Sequence, residues 1–167
     1  MWSFWEQNSF IGKPDLLVVG SGIVGLNAAL RYKQLKPKAN VLVIEAGVLP
    51  AGASTKNAGF ACFGSPTELL MDLSTTSEEI VVATVLKRLK GLERLKMRLG
   101  EKGIAYEAPG SYELFTSSQI KDYQNTIEQL DRLNNLLQKN IGFTPYSIAN
   151  EAIKHFAFAN MHGAIKI

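Results

Sequence analysis

The order of apolar and polar positions predicts an α/β protein that begins with a strand, a helix and a second strand. Residues 16–20, LLVVG, form a short apolar run rich in β-branched residues, as expected of a strand buried on both faces. Apolar residues at helical spacing from Ile23 predict a helix to about Leu35, and Pro37 follows its end. Residues 41–46, VLVIEA, predict a second strand that pairs in parallel with the first, which completes a βαβ unit.

The pattern after the second strand predicts a long loop and then a long amphipathic helix. Residues 47–65 are rich in Gly, Ala, Ser and Thr and show no period, and loops of this length are usually functional or disordered. We expect a functional loop. Thr76 and Glu79 form a capping box that predicts the start of the helix. Its predicted apolar face comprises Val82, Val85, Leu86, Leu89, Leu92, Leu95 and Leu99.

The last third of the chain predicts a strand, a second amphipathic helix and the start of a final strand. Residues 111–116, SYELFT, alternate as a strand does, and the helix runs from Ser117 to the NIGFTP segment at residues 140–145. A short helix follows, and then AIKI at residues 164–167 begins a strand whose partners are expected later in a longer chain. The predicted apolar side of the second helix comprises Ile120, Tyr123, Ile127, Leu130, Leu133 and Leu137.

Composition narrows the class of partner. The 167 residues are 46% hydrophobic and 20% charged, as in globular proteins, and the length suits one domain or a domain and the beginning of another. The net charge of +3 is too small to indicate a nucleic-acid partner. Most of it lies in residues 87–102, where seven basic and two acidic residues leave +5. We predict that this basic helix face is solvated rather than bound to a membrane surface.

Several residues invite a functional interpretation but favour an ordinary one. Cys62 is the single cysteine, which excludes an internal disulfide, and we predict a buried small side chain. His155 and His162 lack neighbours at metal-ligand spacing, so no metal site is predicted. Trp2 and Trp5 are expected to pack on the domain. The N-terminus has no secretory signature and no run is long enough to span a membrane, so a cytoplasmic location is predicted.

Three glycines between the first strand and the helix predict a dinucleotide site. Gly20, Gly22 and Gly25 form the pattern G-x-G-x-x-G. The first permits the tight turn, the second lets the backbone approach a pyrophosphate, and the third allows the helix to pack closely on the strand. The N–H groups around Ile23 and Val24 then face the phosphates at the positive end of the helix dipole. A structural βαβ turn that binds nothing is the alternative.

An acidic residue at the end of the second strand strengthens the prediction. Glu45 lies 20 residues after Gly25, where a carboxylate can accept hydrogen bonds from ribose hydroxyls. A 2′-phosphate would place two anions together, so NADP is disfavoured.

The stretch from Asp15 to Gly64, with GASTKNAG at residues 52–59 behind Glu45, resembles the FAD-dependent D-amino-acid oxidase superfamily. That superfamily includes amino-acid dehydrogenases, glycine and sarcosine oxidases, and γ-glutamylputrescine-type oxidases. In it the loop after the ribose-binding acid runs along the flavin. The resemblance implies an FAD site that comprises Gly20, Ser21, Gly22, Ile23, Val24, Gly25, Glu45, Ala46, Ser54, Thr55, Asn57, Ala58 and Gly59.

The resemblance also implies a fold, a reaction and a division of the chain. The fold is a Rossmann-like FAD-binding part, residues 1–105, followed by the beginning of an α+β substrate domain, residues 106–167. The reaction is oxidation of the C–N bond of an amino acid or amine, with hydride transfer to flavin N5 and oxygen or a quinone as electron acceptor. Members of the family are longer, so the chain is expected to be an N-terminal fragment that is inactive by itself. No catalytic residue is predicted.

Two alternatives remain open from the sequence. One is an NAD-dependent oxidoreductase, since the glycine turn and Glu45 suit either dinucleotide. The other is a truncated, non-catalytic remnant that binds a nucleotide or a protein partner.

Overall fold

The computed structural model describes residues 1–9 and 12–167, and its contacts divide the chain into two compact units, residues 1–60 and 61–167. The long helix that was assigned by sequence to the cofactor-binding part packs with other helices inside the second unit. The break between the units therefore does not coincide with residue 105. A functional division at residue 105 remains a prediction.

The first unit contains the predicted strand–helix–strand order. The strands pair in parallel with Leu16 opposite Val41 and Val19 opposite Ile44, which confirms the predicted βαβ unit. A 3₁₀ turn, Ala53–Thr55, interrupts the loop that follows. The elements are α1 (Phe4–Ser9), β1 (Leu16–Val19), α2 (Ile23–Leu35) and β2 (Val41–Ile44).

Burial of β1 corrects the prediction of a strand covered on both faces. Val18 is buried, whereas Leu17 is exposed and Val19 is 79% exposed. The reason is that α2 packs on the two-stranded sheet and successive side chains of a strand point to opposite faces. In α2 Ala29 is buried and Gly25 and Tyr32 are half-buried, whereas the leucines of this helix are exposed.

The second unit combines three helices with a three-stranded antiparallel sheet of order β3, β5, β4. Two 3₁₀ segments, Ser117–Gln119 and Asn150–His155, connect these elements. The elements are α3 (Pro66–Thr75), α4 (Glu78–Leu99), β3 (Tyr112–Thr116), α5 (Ile120–Ile141), β4 (Ser147–Ile148) and β5 (Met161–Lys166).

The final strand overturns one expectation. The strand predicted from AIKI exists, but β5 begins earlier and lies in the middle of the sheet. Tyr112 of β3 and Ser147 of β4 both lie opposite Lys166. Ala164 and Ile165 are fully buried. The prediction that this strand lacks partners within the chain is therefore wrong, because two preceding strands pair with it.

The start of α4 also differs from the prediction. Thr76 ends α3, where its N–H donates to the carbonyl of Asp72, and Ser77 is the N-cap of α4. The predicted capping box of Thr76 and Glu79 is therefore wrong, because α3 occupies the residues before it. The start of α3 at Pro66 was not predicted, although Ser65 and Glu68 form an S-x-x-E sequence typical of helix starts.

The apolar faces of the two long helices are buried to different extents. In α4 the predicted face is buried at Val82 and Val85 but exposed at Leu95 and Leu99, so only its first half enters the core. In α5 the predicted face is buried at Tyr123, Leu130, Leu133 and Leu137 and partly buried at Ile127, whereas Ile120 at its start is exposed. Gly142 ends the helix in the left-handed conformation. The core of the second unit comprises Leu69, Val81, Val82, Val85, Phe115, Tyr123, Leu130, Leu133, Leu137, Tyr146 and Ile165.

Asn134 joins α5 to the segment after it through two buried hydrogen bonds. Its amide nitrogen donates to the carbonyl of Tyr146 at 3.0 Å, and its Oδ1 accepts from the N–H of Tyr146 at 3.1 Å. Both residues are buried. The side chain thus satisfies both backbone polar groups of Tyr146, which are costly to leave unpaired in a core.

We predict that Asn134→Ala destabilises the second unit by about 2–4 kcal/mol, because it leaves a buried N–H and C=O without partners. The matched control is Asn140→Ala on the same helix, where an exposed amide donates to the carbonyl of Leu136. We expect less than about 0.5 kcal/mol for this control. Urea unfolding followed by helical circular dichroism measures both values. Equal losses in the two variants would contradict the proposed role of Asn134.

Candidate cofactor-binding site

The turn between β1 and α2 adopts the geometry of a dinucleotide-binding turn. Gly20 has a φ of +93°, in the region that side chains disfavour, and its N–H donates to the carbonyl of Ile44 at 2.7 Å. Gly22 is the extended N-cap of α2, which begins at Ile23. The first N–H groups of a helix lack partners within it, so this turn presents backbone donors and the positive end of the helix dipole.

Gly25 sets the distance between α2 and β1. A Cβ at this position would overlap the carbonyl oxygen of Gly20 and lie 2.9 Å from Cγ1 of Val18. The backbone carbonyl of Gly20 cannot move aside as the end of a flexible side chain can. The close packing that the glycine pattern predicted is therefore present in the structure.

Glu45 lies directly after β2 and reaches back to the glycine turn. Its Oε2 accepts from the N–H of Ser21 at 2.8 Å and from the hydroxyl of Ser21 at 2.6 Å. Its Oε1 accepts from the N–H of Ala46 at 3.0 Å. Glu45 thus links the end of β2 to the glycine turn.

These hydrogen bonds also set the charge of the site. The Ser21 hydroxyl, followed by the N–H groups of Ser21 and Ala46, lowers the pKa of Glu45 below its usual value of 4.5. The carboxylate is therefore ionised at neutral pH, which suits an acceptor of ribose hydroxyls and disfavours a 2′-phosphate.

Ser54 brings the loop after β2 to the same turn. The 3₁₀ turn Ala53–Thr55 positions its hydroxyl to accept from the N–H of Ile23 at 2.9 Å. A Cβ on Gly22 would lie 3.2 Å from this hydroxyl oxygen. Three segments that are separate in sequence, the glycine turn, Glu45 and Ser54, thus meet at the start of α2.

The remaining predicted site residues make contacts within their own loop. The Thr55 hydroxyl donates to the carbonyls of Pro50 and Gly52, and Asn57 Oδ1 accepts from the N–H of Gly59 at 2.7 Å. Ala58 lies inside that turn, and Val24 is exposed beside the glycine turn. Their contribution to cofactor binding remains a prediction.

Side chains that lie outside the predicted site correct two further expectations. Cys62 is exposed rather than buried, because it belongs to the exposed run of residues 51–62. Trp2 and Trp5 are also mostly exposed, so the expected packing of the N-terminal segment on the domain is wrong. Among residues 1–9 and 12–167, no group of three or more potential metal ligands occurs. Within the same ranges, no helix has the length and apolar character to cross a membrane.

Sequence reasoning missed the residues that hold the chain immediately after the loop. Three side chains form hydrogen bonds with residues 63–67. Arg88 and Tyr146 donate to backbone carbonyls of this segment, and Glu113 accepts from a side-chain hydroxyl and a backbone N–H. The sequence Gly64–Ser65–Pro66 contained a signal, since Ser before Pro is typical of a helix start. No local pattern linked this segment to the three residues, which lie 25 to 82 positions from their hydrogen-bond partners.

The residues that are present fit a bound dinucleotide. Gly22 has no side chain, and an added Cβ would crowd the Ser54 hydroxyl. Backbone donors lie at the start of α2, and an ionised carboxylate lies at the end of β2. An anionic pyrophosphate and a neutral ribose diol match these two groups respectively.

Comparison with known proteins gives one match. The model of a family described as FAD dependent oxidoreductase (DAO) matches residues 15–164 of this chain. Neither the search of curated proteins nor that of solved structures found a match.

We predict that Ser21→Ala raises the pKa of Glu45 toward its usual value of 4.5, because the Ser21 hydroxyl is the largest cause of the lowering. In the intact protein the hydrogen-bonded carboxylate persists to lower pH than in the variant and is lost as the pH falls through the Glu45 pKa. Carboxyl ¹³C NMR titration measures the shift. Glu6, whose pKa is lowered by Ser3, is the internal control and should not change. An unchanged Glu45 pKa in the variant would show that the Ser21 hydroxyl does not hold it.

Proposed function

Because the chain belongs to the family of FAD dependent oxidoreductases, we propose that its glycine turn, Glu45 and Ser54 hold FAD for oxidation of an amino acid or amine. FAD is the cofactor of this family, and an FAD-dependent oxidoreductase is the activity that the family supports. The observation that carries the assignment to these residues is the meeting of three sequence-distant segments at the start of α2.

Each segment has a part in binding. The N–H of Ile23 donates to Ser54, and the other N–H groups at the start of α2 would bind the pyrophosphate. Glu45 would accept from the adenosine ribose, and residues 54–59 would lie along the flavin. This arrangement is a Rossmann-like mode of binding on the parallel β1–β2 pair. We therefore propose that the first unit is the dinucleotide-binding part of the molecule.

The proposed reaction removes two electrons from a substrate carbon–nitrogen bond. When bound, FAD supplies the electron acceptor for this oxidation. The chain contributes binding and orientation through the residues named above, and oxygen or a quinone would take the electrons afterwards. The amino-acid or amine substrate class rests on the resemblance of residues 15–64 to amino-acid dehydrogenases and γ-glutamylputrescine-type oxidases.

An NAD-dependent enzyme, the first alternative from the sequence, is not retained because the family is FAD dependent. The second alternative, a non-catalytic remnant, is separated from an oxidoreductase by the substrate experiment below. We also propose a cytoplasmic location, which one exposed free cysteine supports, since free thiols persist in reducing compartments.

The substrate class is tested by anaerobic reduction of the bound flavin. The protein, in the longest form that its gene encodes, is loaded with FAD and mixed with amino acids and amines, and then with matched 2-hydroxy acids and alcohols. We expect the flavin absorbance to fall only when the added compound is an amino acid or an amine. Reduction by the hydroxy compounds instead would overturn the substrate class, and no reduction by any compound would favour the remnant.

The binding mode predicts different results for two glycines with almost the same backbone conformation. Gly22 and Gly52 have φ, ψ of −69°, 170° and −78°, −173°. An added Cβ would lie 3.2 Å from the Ser54 hydroxyl at Gly22 and meets nothing within 4 Å at Gly52. We predict that Gly22→Val remains folded and loses most FAD binding, whereas Gly52→Val keeps it. The ratio of flavin to protein absorbance after gel filtration measures retention. Retention of stoichiometric FAD by Gly22→Val would contradict the proposed binding mode.

A further inference from the structure

The second unit concentrates positive charge on one helix. Seven of the 18 lysines and arginines of the chain lie in residues 87–102, which contain two acidic residues. Most of this stretch belongs to α4, which packs against α3 and α5. Its first half is buried at Val81, Val82 and Val85, whereas none of residues 86–99 is buried. The contacts of the second half show which of the seven cations are used within the unit.

Two of the seven cations have acidic partners inside the unit. Arg88 forms an ion pair with Glu68 of α3 at 2.9 Å. Lys96 is half-buried and forms ion pairs with Glu101 at 3.0 Å and with Glu93 at 3.4 Å. Both acidic residues of the basic stretch are therefore paired with the same lysine, and neither forms an ion pair with another cation of the stretch within the described residues.

Four other cations lie together on the opposite side of α4. They are spaced by three, four and four residues, which places them on one face of a helix, and all four are exposed. Arg94 follows the buried Val85 by nine residues, which is about 180° around the helix. At 1.5 Å per residue the four cations extend over about 16 Å. We call them the basic stripe, which comprises Lys87, Lys90, Arg94 and Arg98.

Three residues of the basic stripe lack an acidic partner. Across residues 1–9 and 12–167, no ion pair involves Lys87, Lys90 or Arg94. Like charges three or four residues apart on a helix destabilise it. An extended anion bound along this face would relieve the repulsion. The basic stripe is therefore complementary in charge to an anionic surface.

Exposed apolar side chains flank the basic stripe. Leu86 lies four residues before Lys90 and is 38% exposed, and Met97 lies three residues after Arg94 and is 77% exposed. An anionic bilayer accommodates both kinds of group, because its headgroups attract cations and its acyl boundary accepts apolar side chains. The backbone of a nucleic acid attracts the cations but gives the apolar side chains no favourable environment. The combination favours a lipid surface.

We propose that the outward face of α4 docks the protein on an anionic lipid surface. The basic stripe would lie among the headgroups, with Leu86 and Met97 at the boundary with the acyl chains. The sequence alone favoured a solvated face, because it assigned Leu86 to the buried side and did not separate the paired cations from the stripe. This inference involves one helix of the second unit and no residue of the proposed cofactor site.

Two double variants with the same net charge make a matched test. Lys90→Gln with Arg94→Gln removes two cations of the basic stripe, whereas Lys121→Gln with Lys139→Gln removes two exposed lysines of α5 in the same unit. Each cation near an anionic membrane is worth about fivefold in affinity, so we expect about 25-fold weaker binding in the first double variant. The second should match the unaltered chain. Gln has nearly the helix propensity of Lys and Arg, and circular dichroism checks the fold.

A single variant tests the apolar contact. Met97→Gln changes no charge and preserves helix propensity. We expect it to weaken vesicle binding severalfold and to leave the affinity for a duplex oligonucleotide unchanged. Equal vesicle binding by Met97→Gln and the unaltered chain would remove the contact on which the choice of a lipid partner rests.

Binding is measured without FAD by sedimentation of the intact chain with vesicles of phosphatidylcholine, alone or mixed with phosphatidylglycerol. Binding to the mixed vesicles only, with release at about 1 M salt, where the Debye length is about 3 Å, supports the inference. No binding to mixed vesicles, equal binding to both compositions, or equal losses in the two double variants would overturn it. Tighter binding to the oligonucleotide than to mixed vesicles would assign the basic stripe to a nucleic-acid partner instead. Each of these outcomes leaves the proposed function unaffected, because FAD is absent from the assay.

Discussion

The close approach of α2 to β1 at Gly25 is the constraint on which the candidate site depends. Because no side chain separates the helix from the carbonyl of Gly20, the start of α2 lies beside the ends of both parallel strands. Glu45 can then reach Ser21, and Ser54 can reach the N–H of Ile23. A helix displaced by one side-chain diameter would break these hydrogen bonds, since each of them spans less than 3 Å.

The parts of the molecule that depend on local pattern were accessible from sequence. The glycine turn, the parallel βαβ unit and the buried face of α5 follow from residue spacing, because each is determined by neighbours within a few turns or one short crossover. The same holds for Glu45, whose place at the end of a strand is visible in the order of residues. Membership of the FAD dependent oxidoreductase family agrees with this part of the prediction.

What sequence reasoning missed depends on contacts between distant positions. Whether β5 is an edge or a central strand is decided by β3 and β4, and its own residues carry no sign of it. The sequence around Thr76 has the pattern of a capping box, but Thr76 is the C-cap of α3 and not the N-cap of the next helix. The start of α3 is held by Glu113, which accepts a hydrogen bond from Ser65, 48 positions earlier in the chain. Ser54 was named as a flavin-loop residue, yet its bond to Ile23 needed the loop to fold back on the helix. Tertiary packing determined each of these features.

The exposure of Cys62 makes the loop observable by chemistry that is unrelated to flavin. Because it is the sole cysteine and is exposed, a thiol-directed dye or spin label would attach at a single position, one residue before Phe63. The rotational mobility of the attached label would report how freely the chain moves where the exposed loop joins the buried core. The unaltered chain therefore contains its own attachment point for a probe of loop motion on the nanosecond scale.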